Sequence, residues 1–119
     1  MFWQGMVPVA AIRALGGPNC CHAKDWRIDA RNTALNGVLD ARNYTRGAEC
    51  SWIFRTVGWG NDARVWKDIA SALRMVGYDH ALSIEHEDSH MADDEGLRKA
   101  AAFLKDLVIA KPAGVPYWA

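Results

Sequence analysis

Four ionisable side chains in a row, Glu85-His86-Glu87-Asp88, follow the strand-like run Ala81-Leu82-Ser83-Ile84. Taken with a period of two, Leu82, Ile84 and His86 share one face, and Ser83, Glu85 and Glu87 share the other. The first face suits burial under helices. The second sets carboxylates where they need a metal ion, a positive partner or a proton. A strand that ends in acids between two helical segments is where α/β enzymes keep acid–base and metal chemistry. An earlier segment has the same character: in Cys20-Cys21-His22-Ala23-Lys24-Asp25, the side chains of Cys20, His22 and Lys24 share a face. A histidine and a lysine side by side suit a site better than a core.

The elements that must position these residues follow from spacing. Residues 1–7 form a loop with aromatic side chains. Pro8 opens a short helix on which Val9, Ile12 and Leu15 recur, and Gly16-Gly17 stops it. Residues 18–25 make a strand. From Trp26 to about Phe54 no periodicity holds, and Asn36-Gly37, Asp40, Asn43 and Gly47 mark a long turn-rich loop. Asn61 or Asp62 caps a second helix whose buried stripe is Val65, Trp66, Ile69, Leu73 and Val76, ended by Gly77. The acidic turn Asp93-Asp94-Glu95 opens a third helix, with Leu97, Ala101, Leu104 and Val108 as its packing face. Strand, helix, strand is a βαβ unit, so the two strands should run parallel and bring His22 and Glu85 to one edge.

Composition removes several classes. Lys+Arg and Asp+Glu both number 14, so no net field favours nucleic acid or an anionic membrane. No run approaches the ~20 apolar residues of a membrane span, and Met1-Phe2-Trp3-Gln4-Gly5 lacks the basic n-region and apolar core of a signal peptide. Nucleic-acid and membrane partners are therefore not expected, and the location expected is cytoplasmic. Three cysteines without CxxC spacing read as reduced thiols, mostly packing residues. Gly58 and Gly60 let the backbone approach a ligand, but no GxGxxG or GxxxxGK[ST] phosphate loop is present.

His22-Ala23-Lys24-Asp25, Trp52-Ile53-Phe54-Arg55-Thr56-Val57-Gly58-Trp59-Gly60 and Ser83-Ile84-Glu85-His86-Glu87-Asp88, in this order, resemble the sugar phosphate isomerase/epimerase family. These are xylose isomerase-like TIM barrels, to which endonuclease IV-type enzymes are related. The resemblance covers nearly the whole chain and corresponds to the family's C-terminal part. It implies an α/β fold, with residues 1–119 one partial (β/α)8 barrel domain of about two strand-helix units plus a preceding helix. It implies a divalent metal ion (Mn, Mg, Co or Zn) held by two glutamates, an aspartate and a histidine on successive strands. His22 matches the histidine ligand. Glu85 matches a glutamate that both holds metal and moves the substrate proton. Lys24 and Arg55 match positions that touch a sugar or sugar-phosphate substrate. The implied reaction interconverts or epimerises sugars through an enediolate.

The chain departs from the family in two ways. A whole barrel takes about 250 residues, and the earlier strands with the other glutamate and the aspartate are not in this sequence. Asn61 stands where many relatives have a histidine. The expectation is a barrel tail that is inactive alone and works with a complementing barrel fragment or as a homo-oligomer. A non-catalytic fragment that assembles with a partner, or a metal phosphodiesterase of the endonuclease IV type, are the alternatives.

Overall fold

The computed structural model describes residues 5–16 and 20–118. Residues 1–4 of the loop expected over 1–7, the helix stop at Gly17 and the strand start at Pro18 and Asn19 lie outside the described residues. Helix α1 (Pro8–Leu15) begins at a proline in its first turn and ends at Gly16, whose φ of 67° is the left-handed cap that glycine adopts without strain. Only part of the expected face is covered. Ile12 is buried and Val9 packs on the core, whereas Leu15 is exposed and Ala11 is buried in its place.

The expected strand at residues 18–25 is two strands in two sheets. β1 (Cys21–Ala23) and β2 (Asp25–Ile28) are separated by Lys24 alone. β1 pairs in parallel with β4 (Leu82–Ile84), in the register Cys21↔Leu82, His22↔Ser83 and Ala23↔Ile84. This is the parallel pair that the strand-helix-strand pattern requires. β2 pairs antiparallel with β3 (Trp52–Arg55), which the sequence placed in a loop. The long excursion between them is also ordered. It holds helix α2 (Ala30–Asn36), capped by the Asp29 carboxylate, and a 3-10 turn over Tyr44–Glu49. Segments this short carry too few turns to show a period. Among the described residues the result is a mixed α/β arrangement with one small parallel sheet and one antiparallel ribbon.

The core lies between β1–β4 and helices α1, α3 (Ala63–Met75) and α4 (Asp93–Leu107). The α3 stripe falls close to expectation: Trp66, Ile69 and Leu73 are buried, joined by Ala72, with Val65 and Val76 half-buried against them. Asp62 is the cap, accepting the amides of Arg64 and Val65 at 3.0 and 3.1 Å.

The phase of α4 differs from expectation. Gly96, Ala100 and Leu104 face inward, and Leu97 and Val108 are 43% and 50% exposed. Residues without bulk face in because the ring of His86 fills the space where a Cβ on Gly96 would stand. A stripe chosen for large apolar residues misses a face built from small ones.

Gly60 is a second close approach, and a more rigid one. A Cβ there would fall on the carbonyl of Trp26 and 2.9 Å from Asp25 Oδ1. Backbone cannot rotate away as a side chain can. Gly60→Ala is expected to destabilise the chain by about 1–3 kcal/mol, measured as a shift of the urea midpoint at fixed protein concentration. Gly114→Ala, whose Cβ meets nothing within 4 Å, should change it by less than about 0.5 kcal/mol.

Candidate functional site

Parallel pairing brings together side chains 61 to 63 residues apart in sequence. Beyond the last paired residues, the Glu85 amide donates to the Ala23 carbonyl at 3.1 Å, carrying the ladder one step further. His22, Lys24 and Glu85 then project from the side of the pair opposite the helices. His22 Nδ1 lies 3.3 Å from Glu85 Oε2, and Lys24 Nζ donates to Glu85 Oε1 at 2.8 Å. Lys24 also donates to Glu87 Oε2 at 2.7 Å and sits 3.9 Å from the centre of the Phe54 ring. The opposite face of β4 is as expected: Leu82 and Ile84 pack on the core, and the His86 side chain is 5% exposed under α4.

The charges are mutually tuned. Hydrogen bonding from Lys24 and, more weakly, His22 holds the Glu85 carboxyl below its ordinary range, against the opposing effect of partial burial. Burial pulls the Lys24 ammonium down, but its bonds to Glu85 and Glu87 outweigh this and raise it above the ordinary lysine range. Near neutral pH the pair is therefore fully charged. Glu85 is ready to accept a proton, and is a weaker base than a free glutamate for the same reason.

Tyr44 ties the ribbon to this cluster. Its hydroxyl accepts the Phe54 amide at 2.7 Å and lies 3.2 Å from the Glu87 carbonyl. Tyr44 falls inside the stretch read as loop, so no periodic signal marks it.

Arg55 stands apart. On an antiparallel ribbon, residues opposite one another share a face, so Phe54 lies on the Lys24 side and Arg55 on the reverse. Arg55 Nε donates to Asp88 Oδ2 at 3.1 Å. The structure thus brings His22, Lys24 and Glu85 together and places Arg55 on the other face of the ribbon.

Two buried carboxylates to which the sequence reading gave no role hold this frame. Asp25 is fully buried. It accepts the amides of Trp26, Gly58, Gly60 and Asn61, the Asn61 side-chain amide at 2.7 Å and the Trp66 indole at 3.3 Å. The ligand that Gly58 and Gly60 approach is this carboxylate. The sequence signal was present in Gly58-Trp59-Gly60-Asn61, a run able to aim several amides at one anion. Asp88 accepts the Thr56 amide at 2.8 Å, the Thr56 hydroxyl at 3.0 Å, Arg55 Nε and the His90 amide at 2.9 Å. Burial raises the Asp88 carboxyl, and these donors overcome it and hold it below the ordinary value.

Among the described residues, no group of three or more His, Cys, Asp or Glu side chains is placed to hold a metal ion. His22 Nδ1 and Glu85 Oε2 fit as two adjacent donors, with Lys24 on the other Glu85 oxygen. Two donors alone do not make a protein ligand set; a divalent ion there would need water or other residues to complete its coordination. Cys20 is exposed, while Cys21 packs at the core edge and Cys50 is buried; all three are free thiols. Among the described residues no helix is long and apolar enough to cross a membrane.

No family model matches the chain. It is 35% identical over 109 residues to the uncharacterized protein YfiH of Bacillus subtilis (strain 168). That match takes in 91% of this chain and 35% of YfiH, so the chain spans about a third of its relative's length.

Two measurements test the frame. Asp25→Asn replaces one acceptor oxygen with an NH2 that faces donors, and should cost about 3 kcal/mol or more, read from urea denaturation. Asp88→Asn should lower stability most at neutral pH. Because the Asp88 carboxyl is depressed, its stabilisation is present above the ordinary value of 3.8 and is lost as pH falls through the folded-state value. The gap between wild type and Asp88→Asn should therefore narrow on acidification; a constant gap would show that its charge is not the source.

Proposed function

We propose that this chain is the C-terminal part of a (β/α)8 barrel of the sugar phosphate isomerase/epimerase type, contributing one wall of a proton-transfer site. The observation that carries the reading is the approach of His22 Nδ1 to Glu85 Oε2 at 3.3 Å across a parallel strand pair, with Lys24 on the second carboxylate oxygen. Acid, imidazole and ammonium at the C-terminal ends of parallel strands is the placement barrel enzymes use. A match covering 35% of a longer relative accords with a barrel part.

In this reading His22 and Glu85 are two of the donors for a divalent ion such as Mn, Mg, Co or Zn. A divalent ion bound there supplies polarisation of the substrate carbonyl. Glu85 moves the proton between adjacent carbons of a sugar or sugar derivative. Lys24 keeps Glu85 ionised and fixes its rotamer through the 2.8 Å bond, and on release of that bond it can donate to a substrate hydroxyl. The location proposed is cytoplasmic.

A second reading is assembly without catalysis. Leu97, Val108, Ile109 and Met75 expose large apolar side chains, and two-stranded sheets leave unpaired edges that a neighbouring strand would cover. The partner is then a complementing barrel fragment or a second copy.

Manganese titration by calorimetry should show weak binding to the wild-type chain and none to His22→Ala or Glu85→Gln; equal binding by all three removes the pair as a site. The chain alone should show no isomerase or epimerase turnover. Fusion to the preceding two-thirds of a close relative should restore turnover, and Glu85→Gln in that fusion should abolish it without changing the circular dichroism spectrum. An active Glu85→Gln fusion would rule out Glu85 as the base, and a fusion that folds and stays inactive favours assembly.

A further inference from the structure

Away from the polar cluster, α3, α4 and the first residues of β1 and β4 surround an apolar recess of about 90 Å3. Its floor is Trp66, Ile69, Leu73, Leu82 and Leu104, all buried or half-buried. Cys21 and Leu82 open the two strands and line the recess, whereas Lys24 and Glu85 follow the last paired residues. The recess therefore stands at the opposite end of the parallel pair from the charged side chains. It has a local cause: on its wall Ala70 offers a methyl group, where Ile69 and Leu73 carry branched chains. An apolar gap of this kind holds water poorly and takes up apolar molecules instead.

The polar groups at the mouth are unevenly satisfied. Arg74 is exposed and donates through Nη2 to the Lys111 carbonyl at 2.9 Å. Among the described residues no carboxylate pairs with it, and its Nε and Nη1 have no partner. No acid is among the residues that line the recess. Asp79, next to the lining residues Tyr78 and His80, is 86% exposed and lies 3.6 Å from His80 Nε2. Both helices end near the mouth, but their last carbonyls are occupied. Those of Ala72, Leu73, Arg74 and Leu104 accept the amides of Val76, Tyr78, Gly77 and Val108. The Tyr78 hydroxyl donates to the Ala81 carbonyl at 2.7 Å. Arg74 is thus a cation with open donors beside an apolar cavity.

We propose that this recess binds a small monocarboxylic acid with an apolar chain, the chain among Trp66, Ile69 and Leu104 and the carboxylate on Arg74. Burial of the chain supplies affinity. The planar guanidinium, already oriented by its bond to Lys111, supplies the preference for a carboxylate. The site does not depend on the proton-transfer reading, because it shares no residue with the His22–Lys24–Glu85 cluster.

The test titrates the full chain with hexanoate, 1-hexanol, hexylamine and acetate, following amide resonances by NMR. Saturable shifts at Ile69, Leu73 and Leu104 are expected with hexanoate, weaker ones with hexanol, and none with acetate, which has the charge without the chain. Arg74→Gln should weaken hexanoate roughly fivefold, as loss of a solvent-open charge pair does, and leave hexanol unchanged. Ala70→Leu fills the gap and should abolish binding of both. Arg74 is exposed, so its replacement decides the matter even where Ala70→Leu disturbs folding. Absence of saturable shifts, hexanol or hexylamine binding as tightly as hexanoate, unchanged hexanoate affinity in Arg74→Gln, or full binding by a folded Ala70→Leu each overturns the proposal.

Discussion

A buried carboxylate with no cation against it is the constraint on which this structure rests. Asp25 sits inside without an ion pair among the described residues, and its charge is met by N–H groups from Trp26, Gly58, Gly60, Asn61 and Trp66. Charge-assisted bonds of this kind are strong because the alternative is an unsolvated anion. They tie the start of β2 to the loop after β3 and to the first turns of α3. Without them, the ribbon would have no fixed relation to the helices. Gly58 and Gly60 are there because donors must come this close, and a side chain at Gly60 would collide with the Trp26 backbone.

The same residue explains how the cluster is presented. Asp25 begins β2 just after β1 has ended, so the chain changes sheets at Lys24. Alternation then sends Asp25 inward and Lys24 to the other side, where it meets Glu85, Glu87 and the Phe54 ring. Asp88 performs the matching task at the end of β4. It binds Thr56 and Arg55, and so locks the strand that bears Glu85 to the ribbon that bears Phe54. Two interior carboxylates thus fix the geometry, and the half-exposed Glu85 is held between Lys24 and His22.

Local signals made part of this legible. The βαβ pattern is short-range information: an apolar run, a capped amphipathic helix and another run, from which parallel pairing follows by handedness. Hence the faces of β1 and β4, the meeting of His22 with Glu85, and the stripe of α3 were readable from residue types alone. The β2–β3 ribbon was not. Its strands are four residues each, interrupted by Arg27 and Arg55, and are defined by pairing across 23 intervening residues. The α4 face was misread for a related reason: hydrophobicity marks bulk, whereas the contact with His86 selects absence of bulk at Gly96.

What the sequence by itself determined is which ionisable residues stand beside the parallel strand pair, because periodicity and helix caps act within a few residues. What only the tertiary structure decided is the side on which each one works. Arg55 looked equivalent to Lys24 as a substrate contact, yet pairing with β2 turns it to the reverse face and Asp88 holds it there. Asp25 looked like one more acid at the end of a strand, and became the interior anion that organises the loop. Both outcomes depend on contacts between residues about 30 or more apart, such as Asp25 with Gly58 and Arg55 with Asp88. Neither a period nor a cap carries information over that distance; only closure of the chain on itself does.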